Sequence, residues 1–377
     1  MTAIAPVGHL RPAPEARLRA LAEQWRGRTP VIAYDTDGVD AEVEAARADL
    51  ERVPARTHTL LFSVKANRFP GLLAHLAGHG IGAAVAGPTE YRAATGAGMA
   101  AVCATTPGLT REDLHALHAA GVGIDADSER QLADLPRGAH VGLRLAIPIE
   151  AGSTPRGLPW SRFGMRWPSA SACAAVAARD LRVVRLHAHV RDIGGPEDTD
   201  LLGRVLARAA QDLPTVTELN LGGGTTRLRH HNAEAAAQAY DVLADRLGGA
   251  EYDLYAEPGA HLVTAHGYLV SEVLDVEVAG GRQLAVLDAS AWNLAGWSRF
   301  SPVWLTDSDG AVLPTDFAGP TCYEKDLWLT GVPSGPLHRG DLVVLRGAGA
   351  YVTSMARRLH DLPLPAEVLL PAEGGPR

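Results

Sequence analysis

The chain opens with a polar, Arg-rich lead-in over residues 1 to about 28, ending at Gly27 and Pro30 before the apolar run Val31-Ile32-Ala33-Tyr34. A run of that length with β-branched residues predicts a strand. Beyond it, strand-like pieces alternate with Ala-rich helical stretches. Thr59 to Val64 precedes Gly71 to Gly78, Val141 to Leu145 precedes Ser169 to Arg179, Val183 to His189 precedes Asp200 to Gln211, and Leu219 to Leu221 precedes Ala233 to Leu247. Such alternation predicts βα units around a parallel sheet. From about residue 265 the pattern becomes closely spaced β-like runs, such as Tyr268 to Val278, Gln283 to Leu287 and Asp341 to Leu345, so a second, mostly β domain is expected there.

Composition narrows the function classes. With 377 residues the chain is long enough for a large core. A formal net charge of -8 argues against a broad nucleic-acid footprint, which needs clustered Lys and Arg to neutralise phosphates. No run approaches the roughly 20 apolar residues of a membrane span, and no signal peptide is read at Met1 to Leu10. Three cysteines, Cys103, Cys173 and Cys322, make no even disulfide framework, so a cytoplasmic setting is expected. A small-molecule substrate fits these bounds best.

Four segments carry candidate chemistry. Phe62-Ser63-Val64-Lys65-Ala66-Asn67 ends an apolar strand on a lysine, and a desolvated lysine is a good Schiff-base nucleophile. A lysine that merely snorkels at a strand end is the competing reading. Leu221-Gly222-Gly223-Gly224-Thr225 lies between a strand and a helix, where bare amides can approach a phosphate, although tight loops use glycines too. Ala256-Glu257-Pro258-Gly259 places a carboxylate after another β run, suited to holding a pyridine nitrogen protonated or to an ordinary loop. In Leu186-His187-Ala188-His189-Val190 the two histidines face one side of a strand. No third ligand for a zinc ion is evident, so one histidine is read as stacking on a flat cofactor and no metal is expected.

Together, in order and spacing, these segments resemble the fold-type III pyridoxal-phosphate (PLP) decarboxylases of the diaminopimelate and ornithine decarboxylase group. Ser161-Arg162-Phe163-Gly164, Asp288-Ala289-Ser290 with Asn293-Leu294, Gly319-Pro320-Thr321-Cys322 through Asp326, Gly349-Ala350-Tyr351 with Ser354-Met355-Ala356, and Pro365 to Val368 extend the match over nearly the whole chain. The resemblance implies an α/β fold with an alanine-racemase-like (β/α)8 barrel over 29-265. It also implies a mostly β domain formed by 1-28 plus 266-377, and a head-to-tail homodimer with shared active sites. It makes Lys65 the Schiff-base lysine, puts His189 on the PLP ring and Glu257 at the pyridine nitrogen, and gives the phosphate to Gly222, Gly223, Gly224 and Tyr351. Cys322, presented to the neighbouring subunit, would donate a proton after carbon dioxide departs.

Several positions depart from the family pattern. Ala260 stands where Arg usually follows Glu-Pro-Gly, Arg191-Asp192 where Gly-Ser usually follows the histidine strand, and Ala84 where an aspartate is usual. If the strand continues past His189, Arg191 would project to the same side and replace the missing phosphate cation. A solvated arginine paired with Asp192 is the alternative. Tyr323 stands where diamine-forming enzymes carry an acid directly after the cysteine. Leaving a cationic side chain without that partner costs about 3–5 kcal/mol if buried, so lysine, ornithine and diaminopimelate are not assigned, while Asp326, Asp288 and Glu324 keep them open by offering negative charge elsewhere. Asp326 and Asp288, with Tyr323, remain candidate substrate-binding residues. The expected activity is decarboxylation of an amino acid. A racemase, another PLP-dependent lyase and a catalytically silent regulatory homologue are the alternatives.

Overall fold

The computed structural model describes residues 12–149, 159–231 and 233–370. The chain divides into two compact units, Glu44–Gly259 and Met1–Val43 with Ala260–Arg377.

The first unit is a closed barrel of eight parallel strands: β2 (Thr57–Ser63), β3 (Gly82–Val85), β4 (Val102–Ala104), β5 (Gly123–Ala126), β6 (His140–Leu145), β7 (Arg182–Ala188), β8 (Glu218–Asn220) and β9 (Asp253–Ala256). It closes where Thr57 to Leu60 of β2 pair with Asp253 to Ala256 of β9. Helices intervene between successive strands, as the parallel connection requires. Their starts are written locally. Thr110 and Asp113 form a reciprocal capping box before Arg111–Ala119, and the Ser128 and Ser169 side chains accept the amides of Gln131 and Ala172. The barrel expected from the sequence is therefore present, but three of its strands, β3 to β5, lie in a stretch where the hydrophobic pattern alone marked none.

The second unit is an eight-stranded sheet. Its main path runs β12 (Ser301–Leu305), β15 (Leu342–Arg346), β10 (Gly267–Ala279), β11 (Arg282–Leu287), β13 (Leu313–Ala318) and β14 (Leu327–Ser334), while β1 (Val31–Asp35) pairs with both β10 and β16 (Ala366–Leu370). Gly280 and Gly281, at φ 57° and 75°, make the two-residue turn from β10 to β11, a conformation that side-chain-bearing residues resist. The first apolar run thus belongs to this sheet rather than to the barrel expected from residue 29. All five residues of β1 are buried, and the strand pairs with β10 on one edge and β16 on the other.

The lead-in holds a further departure. Glu15–Trp25 is a helix whose Leu18, Leu21 and Ala22 are buried with Val31, Tyr268, Val270 and Val344. Their spacing of three and four is the helical signal that the charged residues around them obscured.

Candidate active site

In parallel barrels, functional groups gather at the C-terminal ends of the strands. Lys65 sits there, in a single 3-10 turn (Val64–Ala66) directly after β2. Its side chain is exposed, so the lysine is not desolvated as its apolar strand suggested. The surrounding backbone is tightly held. Ser63 donates its amide to Pro258 O at 2.9 Å and its hydroxyl to Glu257 O at 3.1 Å. A Cβ on Gly259 would lie 2.9 Å from Ser63 Cβ, so glycine lets the Glu257-Pro258-Gly259 loop close on the lysine turn.

The glycine loop packs on the same groups. A Cβ on Gly223 would stand 2.4 Å from Glu257 O, one on Gly222 would stand 2.7 Å from His189 Nδ1, and one on Gly224 would stand 2.3 Å from Val190 O. Gly222 and Gly224 also adopt φ of 64° and 89°, which favours glycine. Not all of the amides are free for a phosphate, as the sequence suggested. Gly222 donates to Asn220 Oδ1 at 3.0 Å and Gly223 to His189 Nδ1 at 2.9 Å, which leaves the Gly224 amide.

His189 follows the last residue of β7, Ala188. Burial, together with the positive charges of Lys65, Arg144 and His187, drives its pKa well below the usual imidazole range, so the ring is neutral. Its neighbour His187 is buried, with Nδ1 3.1 Å from Asp125 Oδ2 and Nε2 3.9 Å from Glu257 Oε2. The two histidines do share one side, and Glu257 supplies the third donor that was not evident in the sequence. The three donor atoms lie within 4.8 Å of one another. Protein groups already engage them. Gly223 holds His189, and Asn220 Nδ2 donates to Glu257 Oε1 at 2.8 Å.

Sequence reasoning missed three contributors. Arg144 donates to Asp127 Oδ1 at 2.7 Å and lies over the Phe163 ring, whose other neighbour is Arg162 at 3.9 Å. Asn220 and Asp125 are fully buried beneath Glu257. Only the Asn two residues before the Gly-Gly-Gly run was a visible hint.

Arg191 does not lie where the strand argument placed it. β7 stops at Ala188 because the chain turns: Ile193 donates to Gly224 O at 2.9 Å, and the Val190 and Arg191 carbonyls abut Gly224. Arg191 is exposed, and the alternation that would have aimed it inward has ended. Ala260, at the departed cation position, is buried at the start of a short helix (Ala260–Val263).

In the β unit, Cys322 is exposed and free, its amide donating to His360 Nε2 at 3.1 Å. Asp326 is buried and joins that loop to Trp292. It accepts the Trp292 amide at 2.7 Å and both the amide and hydroxyl of Thr321, and its carboxylate fills the space beside Gly319. Asp288 likewise accepts from Ser271 Oγ at 2.5 Å and the Glu272 amide at 3.1 Å. Asp326 thus ties its loop to Trp292, and Asp288, half-buried, ties the chain after β11 back to β10. Tyr323 is half-buried with its ring 4.4 Å from Trp292, and the Arg357 guanidinium lies 4.1 Å from the other ring of that pair, Trp292. Tyr351, at φ 57°, packs its ring tilted against Trp297, 5.2 Å between centroids.

A flat, phosphate-bearing heteroaromatic cofactor fits the barrel residues. The neutral His189 ring offers a face, the buried Glu257 carboxylate a partner for a ring nitrogen, the bare glycine loop an approach for phosphate, and exposed Lys65 an amine. The comparisons agree. Residues 39–264 match the family described as "Pyridoxal-dependent decarboxylase, pyridoxal binding domain". The chain is 30% identical to a diaminopimelate decarboxylase of Deinococcus radiodurans, covering 90% of each chain, and 29% identical to one from Pseudomonas aeruginosa, covering 94% of this chain and 90% of that one. The fold is similar to diaminopimelate decarboxylase from Helicobacter pylori (TM-score 0.78, 20% identity, 91% of each chain). It is similar too to the arginine decarboxylase of Paramecium bursaria Chlorella virus (TM-score 0.80, 17% identity, 94% of this chain and 100% of that one). With that family model over most of the chain and a relative of 30% identity over 90% of it, the chain belongs to the pyridoxal-dependent decarboxylases, enzymes that remove carbon dioxide from amino acids with pyridoxal phosphate.

Proposed function

We propose that this enzyme removes the α-carboxylate of an amino acid whose far end carries a second carboxylate. When bound, pyridoxal phosphate supplies the electron sink for breaking the bond to the departing carboxylate. Lys65 is the amine that carries the cofactor, and its exposure leaves it open to exchange with an incoming substrate amine. Glu257 holds negative charge at the ring nitrogen. The neutral His189 ring would pack on the cofactor face without adding a second positive charge to it, and the Gly224 amide would face the phosphate. The Cys322 thiol, exposed on a loop that Asp326 organises, gives its Sγ proton to the carbon left behind. It acts in the site of a second copy of the chain, within a homodimer.

The substrate class rests on one observation. The residue after Cys322 is not an acid but Tyr323, packed against Trp292 with the Arg357 guanidinium over that ring. A lone distal ammonium, as in lysine or ornithine, would meet a cation there. A distal carboxylate would meet the exposed Arg357 guanidinium, which Nη1 anchors to Trp292 O at 2.7 Å. Diaminopimelate, named for the relatives from Deinococcus and Pseudomonas, carries such a carboxylate and is the first substrate to try. The purified holoenzyme should release carbon dioxide from diaminopimelate or another distal-carboxylate amino acid at least about tenfold faster, as kcat/KM, than from lysine, ornithine or arginine. A preference for any of those three overturns the substrate class, and an absence of carbon dioxide from every L- and D-amino acid overturns the activity.

A further inference from the structure

Parallel barrels are ordinarily filled by layers of branched apolar side chains. A polar file runs through this one. Arg185 and His187 lie two residues apart on β7, Asp125 lies on β5, Asn220 ends β8, and Glu257 follows β9. Arg185 Nε donates to Asp125 Oδ1 at 2.7 Å, and its Nη1 donates to Glu218 Oε2 at 2.6 Å. Two glycines make room for the pair. A Cβ on Gly142 would lie 1.9 Å from Asp125 Oδ1, and one on Gly123 would lie 2.7 Å from Arg185 Nη2. Burial alone would raise the Asp125 carboxyl, but the adjacent Arg185 and His187 hold it below its ordinary range, so it stays an acceptor.

Asn220 sits at the upper end of this file with no exposed surface. Its Nδ2 donates to Asp125 Oδ2 at 3.2 Å and to Glu257 Oε1 at 2.8 Å, and its Oδ1 accepts the Gly222 amide at 3.0 Å. Both donor hydrogens and the carbonyl are therefore used. The reversed amide would set its oxygen against two carboxylates and its NH2 against an N–H. One orientation is allowed, and it binds the glycine loop and the Glu257 carboxylate to a single planar group.

We propose that Asn220, anchored by Asp125 and Arg185, is the positioning residue of the cofactor site, setting Glu257 and, through the Gly222 amide it accepts, the glycine loop in register for the ring nitrogen and the phosphate of one bound molecule. This inference rests on the assignment of Glu257 to the ring nitrogen. A residue that served only to pack the barrel would affect stability and nothing else.

The test uses the holoenzyme and three readouts: PLP dissociation constant, the pH midpoint of the visible absorbance band of bound PLP, and melting temperature. Asn220→Ala should weaken PLP binding by about ten- to hundredfold, the loss of a hydrogen bond to a charged group. It should also move the band midpoint by about one pH unit. On a Glu257→Gln background that midpoint shift should vanish, because the carboxylate being positioned is gone. If Asn220→Ala does not fold, Asn220→Asp keeps the volume and the Gly222 acceptor while losing both donors, and should give the same readings. Parental affinity and midpoint with only a lower melting temperature overturn the proposal, as does an equal midpoint shift on both backgrounds. If Glu257→Gln itself, with Asn220 intact, keeps the parental affinity and midpoint, the ring-nitrogen assignment falls, and this inference falls with it.

Discussion

His189 Nδ1 accepts the backbone amide of Gly223 at 2.9 Å. An acceptor nitrogen must keep its lone pair, so the ring proton belongs on Nε2 and the ring is uncharged. Burial, and then the charges of Lys65, Arg144 and His187, act in the same direction. For a histidine whose folded pKa is depressed, the fold binds fewer protons than the unfolded chain. Its stability contribution is therefore complete above the unfolded value of about 6.5 and is lost as pH falls below it. The apoenzyme melting temperature should fall below about pH 6.5, and His189→Asn should flatten that fall. An unchanged slope in the variant would assign the acid sensitivity elsewhere.

Gly223 allows the glycine loop to touch the Glu257 loop. An added methyl would stand 2.4 Å from a backbone oxygen, which cannot rotate away. Gly223→Ala should destabilise the protein by about 1–3 kcal/mol and weaken PLP binding, because the displaced carbonyl belongs to Glu257. Thermal denaturation and PLP titration check both effects, and parental values in each would mean that the loops are not in contact.

Lys65→Ala should abolish the covalent attachment of PLP. Borohydride reduction followed by peptide mapping reads this directly in the parent, where the pyridoxyl group should lie on Lys65. An adduct on any other lysine refutes the assignment.

Cys322→Ala should leave PLP bound and slow turnover, since the thiol is proposed to deliver a proton rather than to hold the cofactor. Mixed with Lys65→Ala, it should recover about a quarter of parental activity, because half of the dimers are mixed and each of those has one intact site. Full activity in Cys322→Ala alone would make the thiol a bystander, and no recovery on mixing would argue against shared sites.

Arg191→Ala should leave PLP affinity within about twofold, since an inward guanidinium on phosphate would have contributed ten- to hundredfold. A larger loss would restore the compensation for Ala260 that the exposed position of Arg191 disfavours.

Much of the site was legible in order along the chain. Lys65, Gly222 to Gly224 and Glu257 each end a strand at a recognisable local pattern, and glycine at 222 and 224 answers a backbone demand that any reader of turns would suspect. The short strands Gly82–Val85, Val102–Ala104 and Gly123–Ala126 were not legible. At three or four residues each, and with little β-branching, they offer too few positions to establish a period, and pairing within the closed barrel supplies what local propensity does not.

By itself, then, the sequence determined which residue types stand at strand ends and in what succession, because those are local facts of φ, side-chain period and turn chemistry. Only the tertiary structure decided their partners. It tied Asp326 to Trp292 and Asp288 to β10, gave two of the glycine amides to Asn220 and His189, ended β7 before Arg191, and drew Asp125, Asn220 and Glu257 from β5, β8 and the end of β9 into one buried file. These are through-space contacts between residues as far apart as Asp125 and Asn220. Hydrogen bonds of that kind leave no period in the chain, so nothing short of the folded barrel reveals them.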